Sequence, residues 1–162
     1  MEFAEFVAAR QRALLRAGWL LTGDWASAED LVQTALVRTW PHWHRLPDAD
    51  RAEAYVRRVM FTTYASWWRR RWRGETPTAD LPDRAAGAAD TDLRAALVAA
   101  VLRLPRRQRA VVVLRFLDDL TEARAAEVLG CSVGTVKSQT AKALATLRRD
   151  PRLAGLSLVE TR

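Results

Sequence analysis

The chain has 162 residues, of which 49% are hydrophobic and 28% are charged, a balance typical of a folded globular protein. Its net charge of +7 predicts polyanionic partners. The single cysteine, Cys131, excludes an internal disulfide, and with two histidines it is too little for a closed zinc site, so neither metal nor cofactor is expected. No apolar run reaches the ~18 residues of a membrane span. The acidic N-terminus is unlike a signal peptide, so a cytoplasmic protein is expected.

Apolar residues at helical spacing predict three helices in the first half of the chain, over residues 2–21, 26–40 and 52–73. The second of these has acids in its first turn, as suits a helix N-terminus, and it stops at Pro41. The segment PHWHRLPDADR, residues 41–51, is predicted to be a loop because it contains two prolines.

The composition then changes. Residues 75–91 combine Pro, Gly, Thr and Asp without apolar periodicity, which predicts a flexible linker. Helical patterns resume over residues 92–104, 107–117, 121–129 and 133–147. The chain is therefore predicted to be all-α, with two small helical domains, residues 1–74 and 92–149, and a tail over 150–162.

The most specific pattern is TEARAAEVLGCSVGTVKSQTAKALATL, residues 121–147, which predicts a helix-turn-helix. Ala126 is small enough for a close helix crossing, and Gly130 suits a turn that needs a positive φ. Ser132 can cap the second helix. The residues predicted to face inward on that helix are Val136, Ala143, Leu144 and Leu147.

The opposite face of the second helix has short or basic side chains, which can enter a major groove and reach phosphates. These side chains are Lys137, Ser138, Ala141 and Lys142, with Thr135 and Gln139 at the margins. The alternative is a helical hairpin whose basic face is only solvated.

The third helix is rich in arginine and aromatic residues. Residues 57–73 include six arginines and no acid, and they end in SWWRRRWR. Arginine pairs with phosphates and aromatic rings stack on unpaired bases, so nucleic-acid contact is predicted, with a membrane-surface helix or a packed face as alternatives. The predicted core residues are Tyr55, Val59 and Trp67, with Trp68 and Trp72 nearer the surface.

Two segments resemble the bacterial sigma-70 family. AEDLVQTALVRTW resembles its core-binding segment, and LPRRQRAVVVLRFLDDLTEARAAEVLGCSVGTVKSQTAKALATLR resembles its −35-reading region. With LLTGD, AYVRR, RWRGE and SVGTVKSQT also present, about residues 1–149 are similar to the extracytoplasmic-function group, and to its actinobacterial sigma-E-like subfamily.

The resemblance implies a transcription initiation factor, not an enzyme, that binds core RNA polymerase and promoter DNA and is a monomer when free. Residues 1–74 would be sigma region 2, a helical bundle, and residues 92–149 would be sigma region 4. Members of the family are often held inactive by an anti-sigma factor.

The resemblance also implies three sets of site residues. The polymerase contacts would be Asp30, Leu31 and Gln33. The −10 contacts would be Trp43, His44, Arg45, Tyr55, Arg58, Thr62, Arg69, Arg70 and Arg73. The −35 contacts would be Thr135, Lys137, Ser138, Gln139, Ala141 and Lys142, with Arg109 and Arg115 near phosphates.

The chain departs from the family pattern at two of these positions. Thr62 stands where many relatives have Asn, and Gln139 stands where some have Arg, so base preferences cannot be copied across. Two rival functions remain at this point: a dimeric helix-turn-helix regulator of another class, and a membrane-docked protein that uses SWWRRRWR.

Overall fold

A computed structural model describes residues 1–71 and 89–154, and the chain divides into two compact units. The N-terminal unit contains α1 (Phe3–Thr22), α2 (Trp25–Thr39), a 3₁₀ helix (Trp40–Arg45) and α3 (Ala49–Arg71). The C-terminal unit contains α4 (Ala89–Arg103), α5 (Arg106–Val112), a π-helical turn (Val113–Leu117), α6 (Glu122–Leu129), α7 (Val133–Arg148) and a 3₁₀ turn (Pro151–Leu153). Over the described ranges no strand is present, which confirms the predicted all-α class.

Helices α1 and α2 form a closely packed hairpin. Gly23 ends α1 at φ 73°, and its N–H donates to the carbonyl of Trp19 over 2.7 Å. Asp24 then caps α2 by accepting from the Ser27 N–H over 2.8 Å, and this hydrogen bond lowers the pKa of Asp24. Gly18 lies at the crossing, where an added Cβ would be 3.4 Å from the Cβ of Ala28.

Helix α3 is tied to both earlier helices by polar contacts. Arg10 of α1 pairs with Asp50 over 3.1 Å and with Glu53 over 3.0 Å. Arg38 of α2 donates to the hydroxyl of Thr63, which is buried, over 3.0 Å. These contacts add to the apolar packing that orients α3 against the first two helices.

The side of α3 that faces the core differs from the prediction. Tyr55, Val59 and Trp67 are only half-buried. The large residues that α3 buries are instead Val56, Met60, Phe61 and Tyr64. Trp72 and Arg73, like the side chain of Trp68, lie outside the described part of the structure.

In the C-terminal unit, α5 packs against α7, and the predicted helix-turn-helix is present. Val136, Ala143, Leu144 and Leu147 are all buried, as predicted for the inner face of α7. Thr140 is also buried there, and its hydroxyl donates to the carbonyl of Val136 over 2.8 Å.

The predicted tail begins with ordered structure. Asp150 caps a short 3₁₀ turn by accepting from the N–H of Arg152, and Leu153 in that turn is buried. Asp150 also pairs with Arg103 at the end of α4 over 3.0 Å. The predicted start of the tail at residue 150 is therefore wrong, because the Asp150 carboxylate holds the turn Pro151–Leu153 against the end of α4. The remainder of the predicted tail, residues 155–162, lies outside the described range.

Two other boundaries need correction. Trp40, predicted as the end of the second helix, and residues 41–45 of the predicted loop form the 3₁₀ helix, and α3 begins at Ala49 rather than at 52. Helix α4 begins at Ala89, inside the predicted linker, whose residues 75–88 lie outside the described ranges.

Candidate nucleic-acid and partner interfaces

Helix α7 presents a polar face opposite its buried one. Lys137, Ser138, Ala141 and Lys142 are exposed, whereas Thr135 and Gln139 are half-buried at the edge. The cap of this helix is built as predicted, because the Ser132 hydroxyl accepts from the Thr135 N–H over 3.1 Å. A capped helix whose exposed face has short and basic side chains fits a DNA major groove.

The turn before α7 has the predicted backbone geometry. Gly130 adopts φ 66°, and Ala126 is buried on the first helix of the motif. Cys131 follows with a half-buried side chain, and burial raises the pKa of its thiol while Arg107 opposes that shift. The thiol is therefore protonated at neutral pH and is a poor nucleophile.

Glu122, which is not among the predicted site residues, lies beside the exposed polar face of α7. Its carboxylate is 3.8 Å from the ammonium of Lys137. The Lys137 side chain is 65% exposed, so the pair is a weak one that a phosphate can displace.

The two arginines predicted near phosphates are structural in this fold. Arg109 is buried, and its Nη1 donates to the carbonyl of Leu102 over 3.0 Å. Arg115 is half-buried and donates to the carbonyl of Leu120 over 2.7 Å, which closes the π-helical turn. The burial of Arg109 contradicts its predicted phosphate contact, whereas Arg115 is only half-buried, so its phosphate contact stays a prediction.

A basic position that the sequence reasoning missed is Arg149. Ser138, Lys142, Ala145 and Arg149 follow one another at intervals of three and four residues, so they form one exposed stripe along α7 and its C-terminus. Arg149 donates its Nε to the carbonyl of Ala145, which directs the side chain along this stripe. Helical spacing from Lys142 could have identified it.

The predicted −10 residues of the 3₁₀ helix divide into an anchor and two exposed groups. Trp43 is half-buried against α1, with ring centroids 4.9 Å from Phe3 and 5.1 Å from Phe6. His44 and Arg45 are exposed. Trp43 therefore holds the segment in place, and its two neighbours are free to contact a ligand.

Helix α3 brings four of the predicted residues to one face. Tyr55, Arg58, Thr62 and Arg69 are separated by three, four and seven residues, which places them along one helical stripe. His42 of the 3₁₀ helix lies 6.2 Å from the Tyr55 ring and so joins that segment to the stripe. Arg70 is exposed beside it.

The hydroxyl of Thr62 is hydrogen-bonded to the backbone of its own helix. Its Oγ1 lies 3.0 Å from the carbonyl of Arg58 and 3.1 Å from that of Val59. Because one hydroxyl proton is shared between these two acceptors, the group has little capacity left to donate to a base.

The exposed face of α2 differs from the predicted set by one residue. Asp30 and Gln33 are exposed, but Leu31 is fully buried in the core, so its predicted polymerase contact is wrong. Val37 and Trp40 continue the stripe of Asp30 and Gln33, and they are 72% and 60% exposed. Adjacent exposed apolar side chains of this size are typical of a partner interface.

No metal-binding group of three or more His, Cys, Asp or Glu residues occurs among residues 1–71 and 89–154. Within the same ranges, none of the helices has the length and apolar character needed to cross a membrane.

Comparison with known proteins gives one family match in each of the two compact units. Residues 6–74 match the family model for sigma-70 region 2, and residues 94–147 match that for sigma-70 region 4. The chain is 44% identical over 152 residues to the RNA polymerase sigma-E factor of Streptomyces avermitilis, an alignment that covers 93% of this chain and 85% of that protein.

A second relative is the ECF RNA polymerase sigma factor SigL of Mycobacterium tuberculosis, 33% identical over 138 residues, with 79% of this chain and 76% of SigL covered. Among solved structures, the sigma factor RpoE from Bartonella quintana, in complex with the anti-sigma factor NepR, has a similar fold. Its TM-score is 0.59 at 22% identity, over 91% of this chain and 98% of RpoE. The exposed basic helix of the C-terminal unit, the two family matches and the close relatives lead to one conclusion: the chain belongs to the extracytoplasmic-function group of the sigma-70 family, and it is a sigma factor that directs RNA polymerase to promoters.

Proposed function

We propose that α7 is the helix that reads the −35 element in the major groove. The observation that carries this assignment is the contrast between its two faces. One face is buried from Val136 to Leu147, and the other exposes Lys137, Ser138 and Lys142. Ser138 can hydrogen-bond to base edges, while the lysines, together with Arg149, contact phosphates.

The −10 element is assigned to the 3₁₀ helix together with the Tyr55, Arg58, Thr62 and Arg69 stripe of α3. The His42–Tyr55 contact makes one continuous surface of the two. Exposed His44 and Arg45 extend it with hydrogen-bonding and cationic groups. Such a surface can hold a separated strand through phosphate pairing and stacking on a base.

Core RNA polymerase is assigned to the exposed stripe of α2: Asp30, Gln33, Val37 and Trp40. Tryptophan is enriched among the residues that dominate binding energy at protein interfaces. Trp40 supplies the apolar centre of this stripe, and Asp30 and Gln33 supply its polar rim.

The remaining assignments rest on the family and on the comparisons. The proposed domains are residues 1–74 and 89–154, with residues 75–88 between them, because α4 begins at Ala89 and Leu153 is buried in the C-terminal unit. The factor is proposed to act in the cytoplasm as a monomer without catalysing a reaction itself. An anti-sigma factor is a candidate partner, because the RpoE structure contains one.

Run-off transcription with core RNA polymerase on genomic fragments, followed by mapping of start sites, tests the proposal. Initiation from a set of promoters that share −10 and −35 sequences is the expected result. A chain that supports no promoter-specific transcription, yet binds a palindrome as a dimer, would contradict it. Co-sedimentation with anionic vesicles at physiological salt tests the membrane alternative, for which little binding of the folded chain is expected.

A further inference from the structure

The N-terminus of α1 is joined to the 3₁₀ helix by an aromatic cluster. The ring of Phe3 makes edge contacts with Trp40 and with Trp43, each at a centroid distance of 4.9 Å and with interplanar angles of 73° and 85°. The indole Nε1–H of Trp43 donates to the Met1 carbonyl over 3.2 Å. One phenylalanine therefore contacts both tryptophans of the 3₁₀ helix.

The 3₁₀ helix depends on outside contacts for its position. None of the residues Trp40–Arg45 is buried, and Pro41 has no N–H to donate within the helix. Short 3₁₀ segments also have poorer hydrogen-bond geometry than α-helices. The ring contacts with α1 and the His42–Tyr55 contact with α3 therefore hold it in place.

Phe3 itself is held by the start of α1. The Glu2 N–H donates to the Glu5 carboxylate over 3.3 Å, and the Phe6 N–H donates to the Glu2 carbonyl over 3.1 Å. Phe6 is buried and also contacts the ring of Trp43, at a centroid distance of 5.1 Å. These hydrogen bonds and ring contacts hold the first turn of α1, so the Phe3 side chain has a defined position against Trp40 and Trp43.

We propose that Phe3 is a positioning residue for promoter recognition. By contacting Trp40 and Trp43 together, it sets the orientation in which His44 and Arg45 meet the −10 element. This inference rests on the proposed function, in which the 3₁₀ helix takes part in −10 recognition and Trp40 takes part in polymerase binding.

The test uses the full chain with core RNA polymerase and a promoter mapped with the wild-type protein. Initiation is compared between that promoter and a copy with one −10 base pair changed, and separately with a copy changed at −35. The ratio between two promoters is independent of the fraction of active protein, so a loss of stability alone does not move it. Variants Phe3→Ala and Phe3→Leu are compared with Trp25→Ala, which removes the Trp19–Trp25 stack (5.0 Å, 4°) at the opposite end of α1.

Phe3→Ala is expected to lower discrimination at −10 by about tenfold, the equivalent of two lost aromatic contacts, and to leave discrimination at −35 unchanged. Phe3→Leu, which keeps apolar volume, should have a −10 discrimination between that of Phe3→Ala and that of the wild type. If Phe3→Ala fails to fold, Phe3→Leu provides the test. Trp25→Ala should match the wild type.

Equal −10 discrimination in the foldable Phe3 variant, in Trp25→Ala and in the wild type would overturn the positioning role while leaving the proposed function intact. If the wild type itself initiates from no promoter, then it is the proposed function that fails.

Discussion

At the scale of single residues, Lys142 is the cleanest test of where α7 meets DNA. It is exposed on the Ser138–Arg149 stripe, whereas Lys137 has Glu122 beside it. Replacing Lys142 by Ala should lower promoter affinity and reduce the slope of log K against log salt by about 0.9, because one phosphate contact is lost. Fluorescence anisotropy of labelled promoter DNA over a salt series measures that slope.

Two variants serve as controls for Lys142. Lys142→Arg keeps the charge and should keep the slope. Glu122→Gln removes the carboxylate beside Lys137 and should raise affinity slightly, since an exposed pair of this kind contributes about 0.2–1 kcal/mol. A slope that stays unchanged in Lys142→Ala would show that this face of α7 does not lie against phosphates.

Arg109 should behave in the opposite way. Because its guanidinium is buried against the Leu102 carbonyl, Arg109→Ala should lower the free energy of unfolding by roughly 2 kcal/mol. The salt slope of DNA binding should not change. Urea unfolding followed by circular dichroism gives the first quantity, and the anisotropy series gives the second. If Arg109→Ala unfolds at the wild-type urea concentration but has a reduced salt slope, then Arg109 contacts a phosphate after all.

Trp40 tests the proposed polymerase surface. Its side chain is 60% exposed, so Trp40→Ala should cost about the 0.5–1.5 kcal/mol of its edge contact with Phe3 in folding free energy. It should weaken binding to core polymerase by about tenfold or more if Trp40 lies at the centre of that interface. Trp25, which is 42% exposed at the other end of α2, provides the control Trp25→Ala. Equal losses in the two variants, measured by titration with labelled chain, would argue against this surface.

Two residue assignments show where pattern reasoning stops. Leu31 lies in the stretch that resembles a polymerase-binding segment, but it is on the same helical face as Ala28 and Ala35, and that face is buried in the core. Arg109 was placed near phosphates by the family resemblance, and only the fold reveals the Leu102 carbonyl that it satisfies. Segment resemblance identifies a helix, whereas the direction of each side chain depends on how that helix packs.

At the scale of elements, the long helices were predictable because their caps and breakers are strong local signals. Gly23, Pro41 and Gly130 each mark a helix end in the structure. The 3₁₀ helix Trp40–Arg45 and the π-helical turn Val113–Leu117 were not predicted. The 3₁₀ helix depends on its contact with Phe3, which is far away in the sequence. The π-helical turn is closed by the hydrogen bond from Arg115 to the carbonyl of Leu120, a side-chain contact that helical periodicity does not predict.

The 3₁₀ turn at Pro151–Leu153 makes a prediction about pH. Hydrogen bonds from Arg152 and Arg103 lower the pKa of Asp150 from 3.8 to about 2. Since the folded state then binds fewer protons than the unfolded state, the stabilisation is fully present above about pH 4 and is lost as the pH falls towards 2. Asp150→Asn should therefore destabilise the C-terminal unit at neutral pH and much less near pH 2.

Urea unfolding midpoints of Asp150→Asn and wild type, measured from pH 7 down to pH 2, give this difference directly. Asp92→Asn, an exposed carboxylate on α4, is the matched control. A gap between wild type and Asp150→Asn that stays constant over the whole range would mean that the carboxylate charge does not hold the turn against α4.

At the scale of the whole molecule, the proposed function has the chain contact one DNA molecule at two places, and the net charge of +7 favours both contacts. Each contact alone is weak, because a small basic surface binds DNA mainly through salt-sensitive phosphate pairing. Joining the two on one chain makes the second contact intramolecular and raises its effective concentration. Residues 75–91, predicted as a linker, would supply that connection.

Cutting the chain after it has folded tests the importance of this connection. A protease site placed within residues 75–88 lets the same protein be assayed intact and cleaved, with core polymerase and a mapped promoter. Cleavage should lower initiation by at least about tenfold at limiting protein, because the avidity of the linked pair is lost. Raising the protein concentration should recover part of the activity, whereas a variant without the site should be unaffected by the protease. Full activity of the cleaved protein at limiting concentration would mean that polymerase alone brings the two halves to the promoter.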